Sequence, residues 1–285
     1  MEPTELFEEH RPRLRAVAYR MLGSVSEAED AVQEAWLRLD RADVSEVENL
    51  GGWLTTVVAR LCLNVLRSRE QRREESFDVR MPDPLIDPVD GIDPEHEALL
   101  ADAVGLALMV VLETLSPAER LAFVLHDMFA VPFEEIAPLV ERSPAAARQL
   151  ASRARRRVRN QAPAPAPDLA RQRAAVDAFF AAARHGDLDA LVAVLDPDVV
   201  LRSDGGAART ALTVTLTGAR TVAAQAVTFG RLSPHARPAL VNGTAGVVVA
   251  PQHRPVAVMA FTVTDDRIRS IHVLSDPARL ATLTP

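Results

Sequence analysis

The sequence has no lysine, a single cysteine and few aromatic residues. All 32 of its Lys/Arg positions are arginine, so arginine at any one position carries little information by itself. The lone cysteine, Cys62, excludes an intramolecular disulfide, and no group of cysteine and histidine residues has the spacing of a zinc site. No apolar run approaches the length of a membrane span, and acidic residues crowd the first ten positions, where a secretory signal would be basic. These absences predict a cytoplasmic protein with no membrane segment, no bound metal and no cofactor.

Charge is distributed unevenly along the 285 residues. Residues 1–160 hold 29 acidic residues and 20 arginines, whereas residues 168–285 hold 10 and 12. The first part is basic only in 53–73 and in 148–159, where six arginines occur without an acid. An acidic chain that gathers its positive charge in short segments is typical of a protein that binds nucleic acid there and a basic protein surface elsewhere.

The arginine-rich segment follows a helix-turn-helix pattern. Residues 133–140 predict one helix, 141–143 a turn, and Ser143-Pro144 the start of a second helix, with serine as N-cap and proline in the first turn. The second helix of such a motif enters the major groove of DNA. The alternative is a solvated arginine face on a surface helix.

Three helices are predicted before residue 73. The first ends at Gly23, the second is capped by Ser26 with Glu29 in a capping box, and the third runs from Trp53 to about Arg69. The second helix places three acids on one face, which suits a basic partner but also fits an ordinary surface helix: Glu27, Asp30 and Glu34.

The third helix is predicted to have a buried stripe and an opposite polar face. The stripe comprises Leu54, Val57, Val58, Leu61 and Val65. Arg60, Asn64 and Arg67 lie on the other side, where arginine can follow a phosphate backbone and asparagine can read a base. Trp53 is open to two interpretations, core packing or stacking on a base.

Two linkers and an α+β module complete the chain. Residues 74–98 are acidic and interrupted by proline, and 161–167 alternate alanine and proline. Residues 168–285 begin with helices and continue as β-branched runs, with hairpin turns at Asn242-Gly243 and Asp265-Asp266. This pattern predicts helices packed on a curved antiparallel sheet.

These residues resemble a known family. Ala28 to Leu39, with Gly52 to Leu61, Asn64 and Leu66-Arg67-Ser68, is similar to region 2 of bacterial RNA polymerase sigma factors of the extracytoplasmic-function (ECF) class. Leu115 to Arg120, Phe133 to Ala137 and Ser143 to Arg148 are similar to region 4. The resemblance implies two all-α sigma domains, at 1–73 and 99–160, joined by the 74–98 linker, which would thread the path of the nascent RNA.

The family resemblance also implies roles for individual residues. It implies that an acidic helix binds the clamp coiled coil of core RNA polymerase, that a second surface holds promoter single strand, and that region 4 reads promoter duplex beside the polymerase flap. The corresponding residues are Glu27, Asp30 and Glu34 for polymerase; Asn49, Trp53, Arg60, Asn64 and Arg67 for single strand; and Ser143, Arg148, Gln149, Ser152, Arg153, Arg155 and Arg156 for the helix-turn-helix.

The last module, 168–285, resembles a SnoaL-like domain of the cone-shaped NTF2-like fold, through His185 to Leu191 and Leu195 to Val199. In sigma factors with this extension, short signatures recur that imply regulatory contacts between domains; the matching residues are Pro82, Pro84, Asp204, Gly205, Gly206, Asp276 and Pro277. The cone also allows a small-molecule ligand as a further partner.

Two other functions are compatible with parts of the sequence. One is a stand-alone helix-turn-helix regulator whose cone senses a ligand, which leaves the Trp53 segment and the acidic linker unexplained. The other is an enzyme with its catalytic group in the cone, for which Asp204, His235, His253 and His272 are candidates by residue type alone. The expectation is a sigma factor without catalytic residues.

Overall fold

The computed structural model describes residues 3–42, 47, 49–73, 81–89, 91, 96, 99, 105–161 and 168–283. Most of both predicted linkers, 74–98 and 161–167, lies outside these residues. The chain divides into two compact units. The first is built mainly on residues 1–82 and 109–161, and the second on 83–93 and 162–285. The acidic linker is therefore divided between Pro82 and Asp83.

Every regular element that the structure describes in the first unit is a helix. Its elements are α1 (Pro3–Leu22), α2 (Val25–Arg41), α3 (Leu50–Arg73), α4 (Leu106–Glu113), α5 (Pro117–Phe123), a π-helical turn (Val124–Met128), α6 (Phe133–Leu139) and α7 (Pro144–Gln161). A capping box fixes the start of α5, with Ser116 and Glu119 each bonding the other's backbone N–H.

Two predicted helix starts are wrong by a few residues. Helix α2 begins after Ser24 rather than Ser26, and no side chain caps it; the two serine hydroxyls lie 3.2 Å apart. Helix α3 begins before the glycine pair because the Asn49 Oδ1 accepts a hydrogen bond of 2.9 Å from the Gly52 N–H. The side-chain cap lies ahead of the glycines and draws them into the first turn.

The buried face of α3 also differs from the predicted stripe. Leu54 and Val58 are buried as expected, but Val57, Leu61 and Val65 are only half-buried. The buried positions include the smaller Thr55, Ala59 and Cys62, because α3 packs against both α1 and α2. Burial raises the pKa of the Cys62 thiol to about 12, so this side chain acts as a small apolar core residue.

A buried ionic cluster joins α1 to α4 and α5. The Arg120 Nη1 lies 2.7 Å from the Glu113 Oε1, and the Arg120 Nε donates to the Arg20 carbonyl at 3.0 Å. The Arg20 guanidinium lies 5.0 Å from the centre of the Phe129 ring. Helices that carry the region 2 and region 4 motifs are thus packed into one core within this unit.

The second unit is α+β, as the sequence predicts. Its elements are β1 (Ile86–Asp87), α8 (Leu169–His185), α9 (Leu188–Val194), β2 (Leu195–Asp204), a 3₁₀ segment (Ala207–Leu212), β3 (Val214–Thr217), α10 (Ala219–Phe229), a 3₁₀ segment (Gly230–His235), β4 (Ala236–Val241), β5 (Thr244–Val249), a 3₁₀ turn (Pro251–His253), β6 (Ala257–Thr264), β7 (Arg267–Leu274) and α11 (Pro277–Leu280).

The strands form one sheet in the order β1-β4-β5-β6-β7-β2-β3. The β4–β5 and β6–β7 hairpins are confirmed, and positive φ angles of 50° at Asn242 and 52° at Asp265 produce their turns. The expected all-antiparallel sheet is wrong, because β2 pairs with β7 in parallel, with Leu201 opposite Ile271. These two strands are far apart in the sequence, so no hairpin fixes their relative direction.

The core of the second unit lies between the sheet and α8. Val176 and Phe179 of α8 are buried against Phe261 and Ile271 of the sheet, and the Phe179 and Phe261 ring centres are 5.7 Å apart. Gly186 ends α8 with a left-handed φ of 68°, a backbone conformation that glycine adopts without a steric penalty. This packing holds the ends of β2 and β7 in fixed positions.

Candidate polymerase- and nucleic-acid-binding surfaces

The three acidic residues of α2 differ in what their carboxylates contact. Glu27 is ion-paired with Arg69 of α3, and Glu34 pairs with Arg38 one turn further along α2 at 3.0 Å. Asp30 is exposed, and in the described part of the chain its carboxylate has no ion pair or side-chain hydrogen bond. Asp30 therefore presents its charge to solvent, Glu34 is half-exposed with its charge shared with Arg38, and Glu27 joins two helices.

Helix α3 brings the predicted single-strand residues onto one face. Trp53, Arg60, Asn64 and Arg67 recur at intervals of seven, four and three residues, which places them along one side of the helix. Arg60 and Asn64 are exposed. Trp53 is half-buried, so part of its side chain packs against the protein and part is accessible to solvent. Asn49 lies at the beginning of the same helix, where it caps Gly52.

Helix α7 separates an alanine face from an arginine face. Ala147, Ala151 and Ala154 are fully buried, so their small side chains let α7 pack closely against α5 and α6. The exposed residues are Arg148, Gln149, Ser152, Arg153 and Arg156. Arg155 differs from these, because it pairs with Asp127 of the π-helical turn.

The turn before α7 has the local chemistry that the sequence predicts. The Ser143 hydroxyl accepts a hydrogen bond of 3.2 Å from the Ala146 N–H, which caps the helix. Glu141 adopts a left-handed φ of 55°, so the chain reverses between α6 and α7. The Arg148 guanidinium lies 5.1 Å from the centre of the Phe133 ring, within cation–π range. Both helices of the motif are thereby fixed relative to each other.

A three-residue ionic cluster, which we name the clasp, joins the linker to the C-terminal end of the second unit. Arg279 of α11 donates to Asp83 at 2.5 Å and 3.1 Å and to Asp204 at 2.9 Å. All three side chains are nearly buried, with 12%, 12% and 14% of their surface exposed. The clasp binds linker residue Asp83 and the end of β2 through a single guanidinium.

Backbone contacts hold the linker just beyond the clasp. The Leu85 N–H donates to the Asn242 Oδ1 at 3.1 Å, and the Leu85 carbonyl accepts from the Asn242 N–H at 2.8 Å. Ile86 and Asp87 then pair with β4 as strand β1. This strand was not predicted. Residues 83–87 are therefore structured as part of the second unit.

A side chain is excluded at each of the two glycines of the Asp204-Gly205-Gly206 motif, for a different structural reason. Gly206 adopts a φ of 62°, and a Cβ there would lie 2.3 Å from the Asp276 carboxylate. A Cβ on Gly205 would lie 2.1 Å from the Arg209 carbonyl oxygen. Asp276 caps α11 by accepting the Ala278 N–H at 2.9 Å, so the close approach at Gly206 sets the position of the helix that carries Arg279.

Sequence reasoning named the clasp region but missed its central residues. The sequence signatures single out Asp204 and Asp276 but assign no role to Asp83 or Arg279. An acid inside an otherwise apolar and proline-rich stretch, Met81 to Ile86, was the available signal for Asp83. Pro82 and Pro84 flank this acid, and Pro277 begins α11.

The candidate acid/base residues of the second unit do not converge. His272 is buried, and burial, together with the charge of Arg202, lowers its pKa to about 3, so its ring is neutral near pH 7. His253 contacts Arg237 at 3.1 Å, and His235 is exposed. Within the described residues no group of His, Cys, Asp and Glu could hold a metal ion, and no helix is long and apolar enough to cross a membrane.

Comparison with known proteins identifies the family. Residues 6–73 match the Sigma-70 region 2 family, and residues 105–158 match Sigma-70 region 4. The chain is 42% identical to the ECF RNA polymerase sigma factor SigJ of Mycobacterium tuberculosis over 97% of its own length and 92% of that relative. The chain belongs to the ECF RNA polymerase sigma factors.

Two further comparisons cover nearly the whole of this ECF sigma factor. It is 37% identical to the probable ECF RNA polymerase sigma factor SigI of Mycobacterium tuberculosis, over 95% of this chain and 92% of that one. The crystal structure of Mycobacterium tuberculosis SigJ aligns with 99% of both chains, at a TM-score of 0.80 and 37% identity. The similarity thus includes the C-terminal α+β unit as well as the sigma regions.

Membership in this family establishes an RNA polymerase sigma function, and a stand-alone helix-turn-helix regulator is not favoured. Region 2 corresponds to α1–α3, and region 4 corresponds to α4–α7. The acidic face of α2, the polar face of α3 and the arginine face of α7 therefore lie in the two sigma regions.

Proposed function

We propose that this sigma factor binds the clamp coiled coil of core RNA polymerase through α2, holds the promoter single strand on α3 and reads promoter duplex with α7 beside the polymerase flap. The observation that carries this proposal is the exposure of three chemically matched surfaces on the helices of regions 2 and 4. Asp30 and Glu34 offer carboxylates to a basic protein surface. Arg60 and Asn64 offer a phosphate contact and a base contact, while Arg148, Gln149, Ser152, Arg153 and Arg156 face a duplex.

Glu27 and Arg155 have a supporting role in this proposal. Their charges are engaged by Arg69 and Asp127, so they fix the helices rather than meet the partner. Ser143 caps α7 and places its first turn. Trp53 and Asn49 lie at the start of α3, next to the polar face that receives unpaired bases. Since core polymerase and promoter DNA are the partners, the site of action is the cytoplasm.

The docking role of α2 has a direct test. Replacing both Asp30 and Glu34 by alanine removes one exposed and one half-exposed carboxylate from α2, so transcription from a matched promoter with core polymerase should fall roughly tenfold or more. Binding of core polymerase, measured by fluorescence anisotropy, should fall in parallel. Asp40→Ala, which removes an exposed acid from another side of the same helix, is the matched control and should retain activity. Wild-type transcription by the double variant would exclude the docking role.

We further propose that the second unit regulates the sigma regions through the clasp. A linker held by Arg279 cannot follow the extended path through polymerase that the family resemblance implies for it. Release of Asp83 from Arg279 would remove the side-chain attachment of the linker and leave it held only by Leu85 and the two-residue strand β1, so the clasp favours the resting form. Pro84 stiffens the segment between the clasp and β1, which helps Asp83 and Ile86 to remain attached together.

Breaking the clasp should therefore activate the protein. Arg279→Ala removes both ion pairs of a nearly buried guanidinium, and a bias of about 1 kcal/mol toward release corresponds to roughly a fivefold rise in transcription. The assay is in vitro transcription with core polymerase at limiting sigma factor.

Arg269→Ala is the matched control, because it breaks the Arg269–Asp196 pair of 2.7 Å in the same unit without touching the linker. Unchanged transcription in a folded Arg279→Ala protein would overturn the regulatory role of the clasp, and the proposed binding surfaces would stand.

The cone is proposed to have no catalytic role. The residues that line its cavity include no Asp, Glu or His, so no general acid or base of the usual types faces the enclosed space. Asp204, His235, His253 and His272 all lie outside that lining.

A further inference from the structure

A cavity of about 190 Å³ lies inside the second unit, between α8, α10 and the concave face of the sheet. Its walls are largely apolar and include Phe179, Phe180, Leu201, Val214, Met259 and Val273. An apolar cavity of about 150 Å³ is large enough for benzene. The cavity here therefore has room for a molecule with roughly the bulk of two fused rings.

A small number of polar side chains reach this cavity. Ser203 and Gln225 belong to its lining, and neither makes a side-chain hydrogen bond to another described residue. Arg209 also lines it, but its Nη1 is directed at the carbonyls of Ser275 and Val256, at 3.1 Å and 3.4 Å. Apolar walls with a few unoccupied hydrogen-bonding groups are typical of a small-molecule site.

The cavity has an apolar rim. Phe229, the last residue of α10, belongs to the lining and is nevertheless 37% exposed. A large aromatic ring that is half in solvent offers an incoming apolar molecule a first contact. The lining of the cavity therefore reaches the protein surface at the end of α10.

We propose that this cavity binds a compact apolar molecule, of the bulk of a two-ring system, that carries one hydroxyl or carbonyl group for Ser203 or Gln225. A charged group is disfavoured, because the only ionisable side chain in the lining, Arg209, already donates to two backbone carbonyls. A longer chain would exceed the enclosed volume.

The site is connected to the clasp through covalent neighbours. Ser203 and Ser275 line the cavity, and they directly precede the clasp residue Asp204 and the α11 cap Asp276. The Ser275 N–H donates to the Asp204 carbonyl at 2.7 Å, which ties the two strand ends together. A ligand that widens the cavity here displaces Asp204 from Arg279. This second step rests on the proposed regulatory role of the clasp; the binding site does not.

The site is tested with 2-naphthol as the probe, titrated into the full-length protein by isothermal titration calorimetry. Wild-type protein should show saturable binding of one probe per chain. Ala226→Trp places a large side chain in the cavity and should weaken binding at least tenfold. Ala224→Trp makes the same substitution on the exposed side of α10, two residues away, and should bind within twofold of wild type.

A second, smaller substitution tests the site in case Ala226→Trp does not fold. Ser203→Ala keeps the cavity volume and removes one hydrogen-bonding group, and we expect a loss of affinity of about fivefold. Thermal unfolding by circular dichroism verifies that each variant is folded. Absence of saturable binding to wild-type protein, or equal binding by folded Ala226→Trp, would overturn the site.

The coupling is tested by the same titration of Arg279→Ala. Because coupling between two sites is reciprocal, a clasp that resists widening of the cavity must lower the affinity for the probe. Its removal should raise that affinity at least threefold. Equal affinity in the two proteins would overturn the coupling and leave the site in place, and neither result alters the transcription test of the clasp.

Discussion

Alanine at both Arg153 and Arg156 should lower the affinity of the holoenzyme for its promoter roughly thirtyfold or more. Each arginine on a recognition helix that contacts a base edge contributes about 1–3 kcal/mol, and one that contacts a phosphate contributes to the salt dependence of binding. Both side chains are exposed on the face of α7 opposite its buried alanines, so their removal leaves the packing of the helix intact.

The effect should depend on the promoter. Fluorescence anisotropy with holoenzyme on labelled promoter DNA measures the loss, and the same titration on DNA with a scrambled upstream element gives the reference. On scrambled DNA the variant and the wild type should converge. The control is Arg220→Ala with Arg231→Ala, which removes two exposed arginines from the second unit. Equal promoter affinity of the Arg153/Arg156 variant and the wild type would show that α7 does not read the duplex.

Replacement of Arg120 by methionine should destabilise the first unit by about 3 kcal/mol or more. Methionine fills much of the same volume but removes the positive charge that lies 2.7 Å from the buried Glu113 carboxylate and the donor to the Arg20 carbonyl. Breaking one side of a buried ion pair costs more than removing both sides, because a charge stays behind in a poorly solvated place.

The measurement can be confined to the first unit. Both tryptophans of the chain, Trp36 and Trp53, belong to that unit, so their fluorescence during urea unfolding reports on it alone. Adding Glu113→Gln to Arg120→Met should recover at least half of the lost stability. Arg142→Met, at an exposed position, is the control. A loss below 1 kcal/mol for Arg120→Met would show that the pair contributes little.

The sequence predicts those parts of the fold that local chemistry decides. Ser143-Pro144 marks the start of α7, and Asn242-Gly243 and Asp265-Asp266 mark the two hairpins, because capping and left-handed backbone depend on residues within one turn. The acidic and basic faces of α2 and α7 follow from helical spacing alone. Region 2 and region 4 were recognisable for the same reason, since their motifs are short and continuous.

Contacts between distant segments were not predictable in this way. Arg279 and Asp83 are 196 residues apart, and nothing in the local pattern of either one indicates the other. Arg120 lies in an ordinary amphipathic helix, where a charged residue normally faces solvent. Its burial results from the packing of α1, whose Arg20 carbonyl accepts a hydrogen bond from it. The two residues of β1 are too few to show any periodicity. The parallel pairing of β2 with β7 depends on how the segments between them pack, which no local pattern determines.

The pairing of β1 with β4 limits how the linker can be released. Among the described residues, strand β4 has β5 on one side and only Ile86 and Asp87 on the other. Departure of the linker would leave a row of unsatisfied backbone groups at the edge of the sheet, and such an edge recruits strands from other molecules. The activated protein should therefore be short-lived as a free species and prone to self-association, unless core polymerase captures it before another copy does.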